Sequence, residues 1–120
     1  MGFFEGVETV YYRICNMERS IAFYQGVLGL ELKRREARDW AEFAVGGVDL
    51  ALEGELATAP HQGGATVVLR TADIRALEDH LAEHKVQRGE VEDLGGAYLL
   101  EFYDPDGNRL MAMQPLAEAA

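Results

Sequence analysis

The chain has 120 residues, 48% hydrophobic and 27% charged, with 21 acidic against 11 basic side chains for a net charge of −10. That length suits one domain with one modest core, and the negative charge repels nucleic acid and anionic membrane surfaces, so neither is expected as a partner. A single cysteine, Cys15, excludes an intrachain disulfide; no apolar run is long enough to span a bilayer, and no basic-then-apolar leader pattern opens the sequence, so a cytoplasmic protein is expected.

Residues 7–15 contain apolar and aromatic residues on both parities and predict a buried strand. Asn16 is a suitable N-cap for a helix over 18–27, with Ile21, Tyr24 and Leu28 on one face and Gly26 and Gly29 at its end. Strands are predicted at 30–35, 40–45 and 48–53, the last two joined by a Gly46-Gly47 hairpin. The segment 54–63, with Pro60 and Gly63 and no periodicity, reads as a linker. Beyond it the order repeats. A strand spans 65–71, and Asp73 caps a helix over 74–86 that turns Ile74, Leu77 and Leu81 inward. A weak strand at 88–93 precedes strands at 97–103 and 109–114, joined by Asp104-Pro105-Asp106-Gly107-Asn108.

The repeat is visible residue by residue. An offset of 57 carries Thr9 onto Thr66, Arg13 onto Arg70 and Asn16 onto Asp73, and an offset of 60 carries Gly47 onto Gly107 and Leu50 onto Leu110. Duplicated supersecondary units each leave a face unburied. The expected fold is α+β: two βαβββ modules, 7–53 and 64–114, in one domain over residues 1–120.

Glu18-Arg19-Ser20-Ile21-Ala22-Phe23-Tyr24, followed by Val27-Leu28-Gly29-Leu30, resembles the first-helix signature of the vicinal oxygen chelate superfamily, the group of glyoxalases, bleomycin-resistance proteins and extradiol dioxygenases. The Asp104–Asn108 turn resembles its final hairpin. The resemblance covers residues 7–113 and implies a curved, barrel-like eight-stranded cleft, generally in a homodimer. It does not choose among lyases, isomerases, dioxygenases and non-catalytic drug binders.

Metal-dependent relatives carry inward His and Glu ligands on four strands. Carried over by motif register, those positions fall on Thr9, Ala51, Thr66 and Met111. Hydroxyl, methyl and thioether groups are a poor donor set for a divalent ion. The expectation is therefore a metal-free protein with no cofactor, resembling the drug-binding resistance proteins.

Strand alternation turns the same register into a pocket lining of Tyr11, Arg13, Trp40, Glu42, Asp49, Arg70, Glu101, Tyr103, Met111 and Met113. Aromatic faces and adaptable methionines suit a small organic ligand, and the acidic surface suits a cationic or flat aromatic antibiotic. Two readings of the charges stay open: Arg13, Arg70, Glu42 and Glu101 either pair with one another as buried ion pairs across the barrel or contact the ligand. Trp40 is equally readable as core or dimer packing and as a stacking platform. A superfamily enzyme, with a non-standard metal set or with Glu42, Glu101 or Tyr103 in acid–base roles, is the alternative.

Other signals carry less. His80 and His84 match an H-x-x-E-H string, but their helix face also holds Leu77 and Leu81 and is expected to pack on the sheet. Cys15 is expected to be a buried thiol, and Lys33, Arg34, Arg35 and Arg38 a solvated strand edge.

Overall fold

Two side-chain caps set the frame. The Asn16 carboxamide oxygen accepts the Arg19 amide at 3.0 Å, and Asp73 Oδ1 accepts the Ala76 amide at 3.1 Å, so each first strand turns into its helix by the same device. The computed structural model describes residues 2–3, 8–54 and 66–116, and the chain divides into two compact units, Met1–His61 and Gln62–Ala120. The expected linker lies outside the described residues except for Gly54.

The first unit runs β1 (Thr9–Arg13), α1 (Met17–Ile21), a π-helical turn (Ala22–Val27), β2 (Glu31–Glu36), β3 (Trp40–Val45) and β4 (Val48–Glu53). The second runs β5 (Val67–Arg70), α2 (Ile74–Glu83), β6 (Glu92–Asp93), β7 (Ala97–Tyr103) and β8 (Arg109–Pro115). Each unit is thus a βαβββ module with one four-stranded sheet, ordered β1-β4-β3-β2 and β5-β8-β7-β6. The first strand of each pairs in parallel with the last, and the remaining pairings are antiparallel.

In both units one sheet face is buried. In the first, Ile14, Ala41, Phe43, Leu50 and Leu52 pack with Met17, Ile21, Phe23 and Tyr24, and the Tyr24 ring lies 5.8 Å from that of Phe43. In the second, Leu100, Phe102, Leu110 and Ala112 are buried together with Ile74 and Leu81 of α2, which packs against β7 and β8. The opposite faces carry the charged and aromatic positions.

Several boundaries differ from the sequence reading. The first helix reaches Val27, as the sequence reading has it, but is not a regular α-helix throughout. Its second half widens into the π turn, the Leu28 amide donates to Phe23 O at 2.9 Å, and Gly29 at φ +73° ends it. The second helix ends at Glu83, and Lys85 takes the left-handed conformation at φ +56°. The weak strand at 88–93 shrinks to Glu92–Asp93 plus a bridge from Arg88 to Phe102. Cys15 is exposed, at the surface step between β1 and α1, and not the buried thiol expected.

Candidate functional site

The strand register lays out the helix-free face of the first sheet as a grid. One row reads Tyr11, Ala51, Glu42, Arg34; the next reads Arg13, Glu53, Trp40, Glu36. Thr9 and Asp49 begin a third row with Ala44. Ala51 is fully buried between its larger neighbours and forms a floor from which Tyr11 and Trp40 rise. Their ring centroids are 5.6 Å apart at an interplanar angle of 55°, a tilted pair of the kind aromatic quadrupoles favour. Tyr11 is 48% exposed, a large apolar surface left open by its own unit.

Charge on this face is matched locally. The Trp40 indole N–H donates to Glu42 Oε2 at 2.8 Å. Arg34 grips the same carboxylate with both prongs, Nε to Oε1 at 3.3 Å and Nη2 to Oε2 at 3.0 Å, and reaches Glu36 at 2.7 Å with Nη1. Lys33 Nζ donates to Asp49 Oδ2 at 2.7 Å, and Arg13 Nε lies 3.4 Å from Glu53 Oε1. The Arg34 and Trp40 hydrogen bonds hold the Glu42 carboxyl below the usual carboxylate range against a smaller opposing push from burial. Glu42 is therefore ionised at neutral pH and a weak base. Asp49 in turn raises the Lys33 ammonium through its hydrogen bond.

Arg13 and Glu42 both find partners within the first sheet. Each has a partner on a neighbouring strand of its own sheet, and the pairs are partly exposed because register sets them side by side.

The second sheet repeats the grid with different chemistry. Val68, Met111 and Glu101 form the row that corresponds to Tyr11, Ala51 and Glu42; Arg70, Met113 and Leu99 correspond to Arg13, Glu53 and Trp40. Val68 is 50% exposed, at the same repeat position as Tyr11. Arg109 Nε donates to Glu101 Oε2 at 2.7 Å. A hydrogen bond to Glu101, reinforced by burial, raises the Tyr103 phenol above its ordinary value, so it stays protonated near neutrality. A cavity of about 100 Å³ lies here, lined by Gly89, Glu90, Glu92, Leu99, Glu101, Arg109 and Met111.

Each unit therefore brings half of the expected lining residues onto one face: Tyr11, Arg13, Trp40, Glu42 and Asp49 in the first, Arg70, Glu101, Tyr103, Met111 and Met113 in the second. Arg34 and Lys33, read from sequence as a solvated edge, also belong to the first face. A bulge between Leu32 and Arg34 reverses the strand's parity, so Leu32 pairs with Phe43 on the core side while Arg34 pairs with Glu42 on the open side. No residue in β2 announces that bulge.

Thr9, Ala51, Thr66 and Met111 offer two hydroxyls, a methyl and a thioether, which do not fit a divalent centre. Among the described residues, no group of three or more His, Cys, Asp or Glu side chains could hold a metal ion. His84 Nδ1 lies 3.0 Å from the His80 carbonyl oxygen, a local helix-end contact.

A family model for the Glyoxalase/Bleomycin resistance protein/Dioxygenase superfamily matches residues 6–112. Among solved structures, the chain is similar to a glyoxalase family protein from Bacillus anthracis, at 18% identity and TM-score 0.81 over 97% of this chain and 99% of that one. It is similar to TnmS3, an antibiotic binding protein from Streptomyces sp. CB03234, at 24% identity and TM-score 0.80 over 97% and 100% of the two chains. A lactoylglutathione lyase from Agrobacterium tumefaciens aligns at 18% identity and TM-score 0.75 over 91% and 92%. At these identities the likeness concerns the fold alone. No curated protein matches the sequence.

Proposed function

We infer that this chain, which belongs to the glyoxalase/bleomycin resistance protein/dioxygenase superfamily, binds a small organic molecule with a flat aromatic group stacked against Trp40 and Tyr11. The observation that carries this reading is the tilted Tyr11–Trp40 pair, with the indole fixed by Glu42 on a face its own unit leaves open. An indole held at its N–H keeps its ring face available at little entropic cost on binding. In this reading the two modules work as one metal-independent domain, in the cytoplasm and as a homodimer. Sequestration of a flat aromatic or cationic antibiotic is the finer proposal, and the antibiotic-binding relative of the same fold supports it.

An acid–base enzyme is the weaker reading. Glu42 is held ionised by Arg34 and Trp40, and Tyr103 is held protonated by Glu101, so neither is tuned as a general base near neutral pH. Isothermal titration against flat intercalating antibiotics and cationic glycopeptides, with Trp40 emission followed in parallel, tests the binding role. Heat of binding together with quenching of this sole tryptophan supports it. A full panel with neither signal contradicts it.

A further inference from the structure

The duplicated arginines have unequal surroundings. In the first unit Arg13 stands beside Glu53 in register, 3.4 Å from its carboxylate. In the second unit the equivalent Arg70 stands beside Met113, with Leu99 next in the row. The repeat has kept the cation and replaced its counterion by a thioether. Glu92 closes that row on β6, but it lies three strands from Arg70, about 14 Å away at ordinary inter-strand spacing. Glu101, in the next row of this face, is held by Arg109 at 2.7 Å. Arg70 is exposed and has no ion-pair or hydrogen-bond partner for its side chain among the described residues.

We propose that Arg70 is an anion anchor on the open face of the second unit: it receives an acidic group, a carboxylate or phosphate, of a small organic ligand while Val68, Met113 and Leu99 take the apolar body beside it. This rests on the small-molecule-binding reading and chooses its ligand class. A planar guanidinium grips such groups with two parallel N–H donors. An apolar surround strengthens that attraction by displacing water. The carboxylates that would favour a cationic ligand on the first sheet, Glu42, Asp49 and Glu53, are each matched to a base. The net charge of −10 thus describes the surface at large, while at the Arg70 end of the second open face, away from Glu90 and Glu92, an unmatched positive charge stands among apolar side chains.

The test compares four probes of one shape by calorimetry: 2-naphthoate, 2-naphthyl phosphate, neutral 2-naphthamide and 2-naphthylmethylammonium. At least one of the two anions is expected to bind about tenfold or more tightly than the amide, and the cation more weakly still, as one charge-assisted hydrogen-bonded contact implies. Arg70→Gln should bring the anions to the level of the amide. Met113→Glu should do the same by giving Arg70 the counterion that Arg13 already has, while Arg70→Lys keeps part of the preference. Circular dichroism confirms that each variant is folded. Probes that bind without preference for an anion, or an anion preference that survives both Arg70→Gln and Met113→Glu, overturn the anchor and leave the binding reading intact. Absence of binding by all four probes overturns the anchor, and an antibiotic panel that also gives no signal removes the binding reading as well.

Discussion

The Trp40 indole N–H and the Glu42 carboxylate, two residues apart on β3, meet at 2.8 Å on the open side of the first sheet. Period-two alternation puts both side chains on one face, and the bulge in β2 brings Arg34 to the far side of the carboxylate. Tyr11, Trp40, Glu42 and Arg34 therefore behave as one unit, in which the position of an aromatic ring depends on an ion pair.

Removing the acceptor should loosen the ring. Glu42→Ala is expected to shift Trp40 emission to the red, lower its anisotropy and cost about 1 kcal/mol of stability in urea denaturation, the usual net worth of one partly exposed charged hydrogen bond. Glu42→Gln keeps a carbonyl acceptor and should retain most of the anisotropy. Equal loosening in both variants would mean that the ion pair, and not the indole hydrogen bond, sets the ring.

The same carboxylate gives a pH signature. Its pKa is lower in the folded than in the unfolded chain, because Arg34 and then Trp40 bind the charged form. Its contribution is fully present above the unfolded carboxylate range and is lost as pH falls through the lower folded value. Trp40 emission should stay constant through the ordinary glutamate range, about 4.3, and change only below it. Glu42→Gln should abolish that step.

Gly54 should tolerate no side chain. A Cβ built there would lie 2.3 Å from the backbone oxygen of Arg38 and 3.3 Å from Ile14 Cδ1, and the Gly54 amide is bonded to Asp39 O at 3.0 Å. Backbone cannot retreat as a side-chain tip can, so Gly54→Ala is expected to cost about 2 kcal/mol, visible as a lowered urea midpoint at unchanged slope. A wild-type midpoint would contradict that packing.

Asp104 is 5% exposed at the β7–β8 turn, and its carboxylate accepts the amides of Asp106 at 2.9 Å and Asn108 at 2.8 Å. Oδ2 accepts Asn108 Nδ2 at 2.9 Å. Asp104→Ala leaves these donors without their acceptor and should cost about 2 kcal/mol, whereas Asp104→Asn keeps an acceptor for the backbone and should cost less. Thermal melts of the two variants check the order.

The duplication was legible because it fixes register. The offsets of 57 and 60 that align Tyr11 with Val68 and Ala51 with Met111 are the offsets at which these residues pair in the two sheets. Hairpin turns were legible too, since Gly46 at φ +61° and Gly107 at φ +86° stand where a left-handed residue is needed. The open faces followed from alternation, as Trp40 and Glu42 illustrate.

What alternation cannot carry is an insertion that breaks its phase. The bulge at Lys33 moves Arg34 from the core parity to the open face, and so the partner of Glu42 was read as a solvated edge. The π turn at Ala22–Val27 hides for a related reason: its hydrogen bonds skip one more residue and shift the phase, so Phe23 is buried beside Tyr24 while Leu28, read on the inward face, is half-buried. The sequence leaves the partner of Arg13 open, and strand register supplies Glu53 from the adjacent β4. Cys15 was expected inside because cysteines usually are, and one position past a buried Ile14 it faces solvent.

The most direct measurement is the ¹⁵N-resolved resonance of the Trp40 indole N–H during titration with a flat aromatic antibiotic. Binding at the proposed face should shift this signal in a saturable way together with the Tyr11 amide, leave the α2 amides of Ala82 and Glu83 in place, and lose affinity in Trp40→Ala. A titration that saturates while the Trp40 signal stays fixed, or that shifts only residues elsewhere, would contradict the assignment of this face as the ligand platform.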